Sequence, residues 1–388
     1  MTIEATAVDA AVRRLRLGMV GGGEGAFIGA VHRIAARLDD HFELVAGALS
    51  STPERALRSA RLLGLQRAYP DFTSMALEES KRIDGIDVVA IVTPNDRHAA
   101  AAEAFLRAGI HVICEKPVTT TRAEAERLKD LAAAKGLIFA VTYNYTGYPM
   151  VRHARRMVHD GTLGDLRVVN VEYPQDWLTE DLEATGQKQA AWRTDPARAG
   201  AGGCIGDIGT HAFQLAGFVT GLKPTELCAE LTTFVAGRAL DDNVQILLRY
   251  PNGARGMLWA SQVAPGNENG LRLRVYGSKG GIEWTQEHPN QLQWSEFGKS
   301  TQVVSRGTGA ANQDAARVTR LPSGHPEGYL EGFANIYAEV AKAIRAVSAH
   351  EERPREVVFP TINDGVEGMA FIEAAVASSK EGARWVAL

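Results

Sequence analysis

The chain has 388 residues, of which 45% are hydrophobic and 23% charged, and it carries a net charge of −4. This length exceeds the usual limit for one hydrophobic core, so we expect two domains. The charge gives no reason to expect nucleic acid or an anionic membrane as a partner, and no apolar run reaches the length that spans a bilayer.

Residues 1–14 lack the apolar core of a signal peptide, so we expect a flexible leader there. The cysteines Cys114, Cys204 and Cys228 are odd in number and widely spaced, which argues against a disulfide framework and against a zinc site. We therefore expect no metal, and a reducing cytoplasm is the simplest compartment.

The first part of the chain alternates predicted strands with predicted helices. Repeated βα units of this length predict an α/β Rossmann domain with a doubly wound parallel sheet, which we assign to residues 1–145. The strands are predicted over 15–20, 43–49, 88–92, 112–114 and 137–142, and the helices over 30–38, 53–63, 99–108 and 121–135.

A glycine-rich loop, residues 21–29, follows the first predicted strand. Glycines let a backbone turn tightly and approach a pyrophosphate, which the N-terminus of the next helix attracts. Gly21 and Gly23 match the first two positions of a dinucleotide fingerprint; the third is Ala26, and Gly29 could replace it in a longer loop. A plain tight turn is nearly as good an interpretation, but the place after the first strand favours nucleotide binding.

The second predicted strand ends in Ser50 and Ser51, followed by Arg55, rather than in a carboxylate. An acid at this place binds the ribose 2′-hydroxyl of NAD. Serine can hydrogen-bond the same hydroxyl, and serine with arginine could equally hold the 2′-phosphate of NADP. The sequence therefore leaves the choice between NAD and NADP open.

Lys116 follows the predicted buried strand 112–114 and precedes Pro117. Proline disfavours the helical conformation at Lys116, so regular structure is expected to end here. Ligands of open α/β sheets sit beyond the carboxyl ends of the strands, where a lysine can polarise a substrate oxygen. Taken alone, this pattern favours an ordinary surface lysine by about two to one, and only the motifs in the rest of the chain reverse that preference.

After residue 145 the pattern changes to one helix over 151–159 and then strands. We predict an α+β domain over 146–388 with a large, open, mostly antiparallel sheet, because residues 251–253 and 277–280 have turn sequences typical of hairpins. The polar segment 298–315 is predicted to be a mobile loop. The predicted strands cover 168–173, 227–234, 244–250, 256–262 and 271–276, and the last helices 327–349 and 363–379.

A helix predicted over 207–221 carries Asp207 and His211 four residues apart, which places both on one face. A histidine of near-neutral pKa beside a carboxylate is a good proton acceptor. The alternative is that Asp207 only caps the helix and that His211 is a core histidine.

Taken together, these residues resemble the Gfo/Idh/MocA oxidoreductase family over nearly the whole chain. Besides the glycine loop, the resemblance is carried by Thr93-Pro94-Asn95 with His98, by Glu115-Lys116-Pro117, and by Gly202-Gly203 with Asp207, Gly209 and His211. It implies a dehydrogenase that uses NAD, with NADP possible, to oxidise a secondary hydroxyl of a cyclic polyol or sugar such as an inositol. It also implies a homo-oligomer, a dimer or a homotetramer, formed through the C-terminal sheet.

The resemblance also implies roles for individual residues. Lys116 and His211 would be catalytic, with Asp207 orienting the histidine or binding a neighbouring hydroxyl. The expected cofactor-binding residues are Gly21, Gly23, Phe27, Ile28, Ser50, Ser51, Arg55, Thr93, Pro94, Asn95, His98, Glu115, Lys116 and Asn144. The expected substrate-binding residues are Lys116, Tyr143, Trp192, Arg193, Asp207, His211 and His325.

The chain departs from the family pattern at three places. The family often has an acid three residues after the histidine, where this chain has Gln214; its glycine loop is usually shorter, and its second strand often ends in Asp instead of Ser50. Two other functions therefore stay open. One is an NAD-dependent glycosidase that works by transient oxidation, and the other is a nucleotide-dependent sensor without turnover.

Overall fold

The computed structural model describes residues 13–388, so most of the predicted leader, residues 1–14, lies outside the described residues. It contains a six-stranded parallel sheet and a nine-stranded, mostly antiparallel sheet, which confirms the predicted fold class. Within the described range, no helix combines the length and the apolar character needed to cross a membrane.

The first sheet has the strand order β3-β2-β1-β4-β5-β6, and every neighbouring pair is parallel. The order reverses between β1 and β4, which opens a crevice at the carboxyl ends of these strands. The strands are β1 (Leu15–Gly21), β2 (Phe42–Ala48), β3 (Arg67–Ala68), β4 (Val88–Val92), β5 (His111–Cys114) and β6 (Phe139–Val141). The helices are α1 (Phe27–Leu38), α2 (Pro53–Leu62), α3 (Phe72–Glu79), α4 (His98–Arg107) and α5 (Arg122–Lys135).

The ends of α5 illustrate how local sequence sets these elements. Thr121 and Glu124 form a capping box at its start, and Gly136 ends it in the left-handed conformation, as the sequence predicts. The prediction missed β3, which has two residues, and α3, whose N-terminus is capped by Asp71 through the amide of Ser74.

The second sheet has the order β14-β13-β12-β11-β7-β10-β9-β8-β15. All its pairs are antiparallel except β7 with β10. The strands are β7 (Leu166–Pro174), β8 (Glu226–Thr232), β9 (Asn243–Arg249), β10 (Arg255–Ser261), β11 (Arg272–Gly277), β12 (Gly280–Thr285), β13 (Gln291–Glu296), β14 (Gln302–Ser305) and β15 (Val386–Ala387). The helices are α6 (Pro149–His159), α7 (Lys188–Arg193), α8 (Pro196–Ala199), α9 (Thr210–Thr220), α10 (Gln313–Ala316), α11 (Tyr329–Ser348) and α12 (Ile362–Lys380).

Both predicted hairpins are present, because β9 pairs with β10 and β11 pairs with β12. The prediction of a mobile loop over 298–315 was wrong in part: the segment contains β14 and α10. The β14 backbone pairs with β13, which satisfies the polar groups that a free loop would leave to water.

Helix α11 lies near the end of the chain but completes the core of the first sheet. Its buried side chains Phe333, Tyr337 and Ile344 belong to the same apolar cluster as Leu17 of β1 and Val88 of β4. The domain boundary at residue 145 stays a prediction, and α11 is an exception to it, because this helix packs on α1.

Candidate active site

The glycine loop reaches from the end of β1 into the first turn of α1. Gly21 and Gly22 have φ angles of 80° and 71°, which glycine adopts without strain. A Cβ atom on Gly29 would lie 2.4 Å from the Cα atom of Gly22, so the helix can approach the strand only with glycine there. Gly29 therefore fills the packing role of the third fingerprint glycine, while Ala26 is the residue that precedes α1.

The N-terminus of α1 is free to meet an anion. Among residues 13–388 no side chain caps it, and its first turn contains no acidic residue, so its amide groups and dipole are available to a phosphate. Beside it lies a cavity of about 510 Å³ lined by the loop and by α2, including Gly23, Gly25, Phe27 and Ser59. These residues fit the pyrophosphate of a dinucleotide.

We expect Gly29→Ala to weaken NAD binding by at least about tenfold, because the new methyl group displaces the loop that receives the phosphates. Titration calorimetry of NAD with the purified protein measures the effect. Gly309→Ala is the control, since a Cβ at Gly309 meets nothing within 4 Å. Equal NAD affinity in the two variants would contradict the role assigned to the Gly22–Gly29 contact.

Of the other predicted cofactor residues, most follow the carboxyl ends of β2, β4, β5 and β6, while Ile28, Arg55 and His98 lie in the helices α1, α2 and α4. Ser50 is half-buried, whereas Ser51 and Arg55 are exposed. His98 connects two strand ends, because its ring nitrogens lie 2.9 Å from the carbonyl oxygens of Thr93 and Pro117.

Three further predicted cofactor residues have buried polar atoms in this region. The amide nitrogen of Asn95 donates to the carbonyl of Ala199 at 3.0 Å. The hydroxyl of Thr93 and the amide nitrogen of Asn144 are buried without a hydrogen-bond partner within residues 13–388. Buried polar groups are seldom left unpaired, so these two atoms fit a site that a bound cofactor completes.

Lys116 lies at the carboxyl end of β5, and its peptide bond to Pro117 is cis. Its ammonium donates to Asp207, at 2.6 Å to the carbonyl oxygen and 3.0 Å to Oδ1. The other carboxylate oxygen of Asp207 accepts from Nε of Arg193 at 3.1 Å and from the amide of Gln262 at 2.9 Å. Burial raises the pKa of Asp207, but Lys116 and Arg193 outweigh it and hold this pKa well below its usual range.

Asp207 lies in a π-helical turn, Ile205–Gly209, which precedes α9. The start of this turn is held by Asp241, whose carboxylate accepts from the amides of Gly203 at 2.7 Å and Ile205 at 2.8 Å. A Cβ on Gly203 would lie 2.4 Å from the carbonyl oxygen of Asp241, which explains the glycine. Burial raises the pKa of Asp241 to about 6.

His211 lies in the first turn of α9 among three tyrosine rings. The ring centroids of Tyr143, Tyr145 and Tyr173 are 5.7, 5.0 and 6.3 Å from that of the imidazole. Burial, and then the positive charge of Lys116, lowers the pKa of His211 well below its usual value. The imidazole is therefore neutral near pH 7.

The structure differs here from the predicted pairing of Asp207 with His211. Among the described residues, the carboxylate of Asp207 makes its hydrogen bonds to Lys116, Arg193 and Gln262, and Nδ1 of His211 has no partner. Asp207 therefore holds the lysine and the arginine, and acts on His211 only through its charge.

The predicted substrate-binding residues are only partly brought together. Arg193 stacks on Trp192, with its guanidinium 4.3 Å from the ring centroid, and bonds Asp207. Tyr143 is buried, and its ring is nearly perpendicular to that of His211, with an angle of 87° between the two planes. His325 lies on an exposed loop, and its backbone carbonyl oxygen accepts from Arg306. No described hydrogen bond joins His325 to the other site residues.

Sequence reasoning missed several residues of this site. Gln262 lies just beyond the carboxyl end of β10, a position where a polar residue could have been noticed. Tyr145, Tyr173 and Asn269 form a hydrogen-bonded group beside His211, and their spacing in the sequence gives no indication of it. Across residues 13–388, no three His, Cys, Asp or Glu side chains are arranged to hold a metal ion.

Comparisons with known proteins place the chain in a family. The profile of the oxidoreductase family with an NAD-binding Rossmann fold matches residues 15–143, and that of the GFO/IDH/MocA C-terminal domain matches residues 151–283. An uncharacterized oxidoreductase of Bacillus subtilis is 40% identical over 381 residues, which cover 96% of each chain.

Two solved structures are similar along the whole chain. An oxidoreductase from Sinorhizobium meliloti is 55% identical with a TM-score of 0.87, covering 97% of this chain and 100% of that one. An inositol dehydrogenase homolog from Azotobacter vinelandii, complexed with NADH and myo-inositol, is 37% identical with a TM-score of 0.91, covering 97% and 98%.

Proposed function

Because the chain belongs to the GFO/IDH/MocA oxidoreductase family, we propose that it is an NAD(P)-dependent dehydrogenase of a cyclic polyol or sugar. It oxidises a secondary hydroxyl, of an inositol or an aldopyranose, to the ketone. The observation that carries this proposal is the contact of Lys116 with Asp207: the ammonium at the carboxyl end of β5 hydrogen-bonds the turn Ile205–Gly209, which leads directly into the first turn of α9 with His211.

Lys116 is the residue that stabilises the substrate oxygen. An ammonium has three N–H donors, and two of them are used on Asp207. The third is left for the hydroxyl that is oxidised, where a positive charge stabilises the negative charge that develops on oxygen. Asp207 fixes the direction of this donor.

His211 is the residue that takes the hydroxyl proton. A neutral imidazole has one nitrogen free to accept, and the low pKa keeps the ring neutral near pH 7. The nicotinamide, when bound, accepts the hydride, and this chemistry belongs to the cofactor. The tyrosines around His211 exclude water from the proton transfer.

Arg193 and Trp192 form the substrate side of the pocket. One terminal nitrogen of the guanidinium bonds Gln189 at 2.6 Å and Nε bonds Asp207, which leaves the other terminal nitrogen for substrate hydroxyls. The single net positive charge of Lys116, Arg193 and Asp207 suits a neutral polyol that becomes partly anionic in the transition state.

The experiment is a screen of inositols and aldoses with NAD and NADP side by side, measuring the absorbance of reduced nicotinamide. We expect reduction with a cyclic polyol or sugar, and faster reduction of NAD than of NADP. NAD is proposed because the A. vinelandii homolog was solved with NADH. Release of sugar from aryl glycosides without accumulation of NADH would instead support the glycosidase, and binding without reduction would support the sensor.

We also propose that the enzyme forms a homo-oligomer, a dimer or a homotetramer, through the outer face of the nine-stranded sheet. This face carries Val168, Leu247, Met257 and Tyr276, which are between 36% and 52% exposed although all are apolar or aromatic. Their registers place them side by side on one face. Such a contiguous apolar face is typical of an interface between subunits.

Leu247→Lys combined with Met257→Lys should therefore lower the molecular mass measured by light scattering after gel filtration, because two buried charges oppose association. Ile83→Lys is the control, since Ile83 is fully exposed outside this face. An unchanged mass in the double variant would show that another surface, or none, joins the subunits.

We place the enzyme in the cytoplasm. The proposal is supported by the free state of all three cysteines, two of which are buried as thiols. Secretion of the active protein with a disulfide would contradict it.

A further inference from the structure

A buried hydrogen-bond network is built on Glu115, the residue that directly precedes Lys116. The carboxylate of Glu115 accepts from Nε2 of His32 at 2.9 Å and from the hydroxyl of Thr142 at 2.7 Å. Its second oxygen lies 3.2 Å from the amide nitrogen of Lys116. The other ring nitrogen of His32 lies 2.8 Å from the hydroxyl of Tyr337. The residues His32, Glu115, Thr142 and Tyr337 are all buried.

The partners fix the direction of this network. A carboxylate only accepts, so Nε2 of His32 carries the hydrogen. In a neutral ring with its hydrogen on Nε2, Nδ1 is an acceptor, so the hydroxyl of Tyr337 donates to it. The order of donation is therefore Tyr337 to His32 to Glu115, and this arrangement holds the imidazole in one tautomer.

The network connects three separated parts of the fold. His32 lies in α1, whose N-terminus borders the cavity proposed for the cofactor phosphates, and Tyr337 lies in α11. Glu115 directly precedes Lys116. Burial raises the pKa of Glu115, but the hydrogen bond from His32 and the nearby positive charges hold it at about 2. The carboxylate is thus ionised in the interior only while its donors are in place.

We propose that His32 is a positioning residue: by holding Glu115, it fixes the backbone turn from which Lys116 extends and couples that turn to the cofactor-binding helix. The inference rests on the catalytic role proposed for Lys116. Glu115 is predicted above to contact the cofactor; here its oxygens are engaged by protein donors, and its task is to hold the lysine.

The effect of pH on the Glu115 carboxylate depends on which titratable groups near it carry a charge. The phenols of Tyr143 and Tyr337 and the thiol of Cys114 stay neutral, since burial raises each pKa. The same holds for the phenols of Tyr145 and Tyr329. Burial also lowers the pKa of His98 and of His211, so both rings are neutral near pH 7 and Lys116 supplies positive charge near Glu115.

The test compares His32→Leu, which removes the donor to Glu115, with His32→Gln, which retains an N–H donor at about the same distance. In His32→Leu the pKa of the Glu115 carboxyl should rise, because the hydrogen bond from His32 no longer opposes the effect of burial. Glu115 then becomes protonated at a higher pH than in the unaltered protein. We expect kcat near neutral pH to fall at least about tenfold. The acid limb of the pH profile, where kcat declines as the pH is lowered, should shift to higher pH by about one unit or more. The dissociation constant of NAD should change by less than about threefold, and His32→Gln should restore most of kcat.

A second readout does not depend on turnover. Infrared spectra of the cofactor-free protein should show the carbonyl band of a protonated carboxyl in His32→Leu, and Glu115→Gln in the same chain should abolish it. The control is His153→Leu, which removes an equally buried histidine that accepts from the amide of Asn312. His153→Leu should show any general loss of stability that comes from removing a buried histidine. It should show neither the infrared band of a protonated carboxyl nor a shift of the acid limb of kcat.

The outcomes separate this inference from the proposed function. An unchanged acid limb and no carboxyl band in His32→Leu would overturn the positioning role, whatever Lys116 does. A Lys116 variant with normal turnover would overturn the proposed function, and with it the inference, even if the band appears.

Discussion

Lys116→Met should lower kcat by about 10²-fold to 10³-fold, the range found when one donor to a developing oxyanion is removed. Methionine keeps the length of the side chain but removes the charge and all three donors. NAD affinity should stay within about threefold, because the described hydrogen bonds of this ammonium go to Asp207 and not to the glycine loop or α1, where we propose that the phosphates bind. Steady-state kinetics with the best substrate of the screen and calorimetry with NAD measure the two effects.

The variant is expected to fold. Asp207 keeps Arg193 and Gln262 as donors when Lys116 is removed, so no carboxylate is left buried without a partner. Lys299→Met serves as the control, since Lys299 is exposed and pairs only with Glu296. If Lys116→Met turned over as fast as this control, the assignment of Lys116 to the substrate oxygen would be wrong.

Features with a local cause were predictable from the sequence. Lys116 was found because an apolar strand and a proline stand on either side of it, and each acts on the adjacent backbone. The glycine loop was found because its glycines directly follow an apolar strand. The alternative of a longer loop ending at Gly29 agrees with the close approach of Gly29 to Gly22. Neither feature needs information from a distant part of the chain.

Contacts between distant residues were not predictable. Lys116 and Asp207 are 91 residues apart, and no pattern in either segment specifies the other. The same is true of His32 and Glu115, which are 83 residues apart, and of α11, which completes the first sheet. Strand β13 could have been found, since Gln291–Glu296 begins with the alternation of a half-buried strand.

The absence of a hydrogen bond between Asp207 and His211 among the described residues has a physical reason. The rule that residues four apart face each other holds for an α-helix, but the turn Ile205–Gly209 is π-helical and wider. Asp207 is consequently directed to Lys116 and Arg193. A one-turn π-helix is frequent at functional sites, and here it lets one carboxylate hold two cations and leaves His211 free for the proton.

His211→Gln should lower kcat by about 10²-fold to 10⁴-fold, the range for loss of a general base. Glutamine is polar and similar in size but cannot accept a proton near neutral pH. The pH profile adds a second criterion. Since burial and Lys116 lower the pKa of His211, the neutral form persists as pH falls, and the acid limb of kcat/KM in the unaltered enzyme should lie below about pH 6.5.

His211→Gln should remove this acid limb, because the group whose protonation causes it is gone. The residual activity should then increase only in proportion to the hydroxide concentration as the pH is raised. The matched control is His153→Gln, which changes another buried histidine and should keep the limb in place. A limb that persists in His211→Gln would assign it to another group. The proton would then be taken by that group, and Asp207 is excluded from this role because its pKa is held low by the cations Lys116 and Arg193.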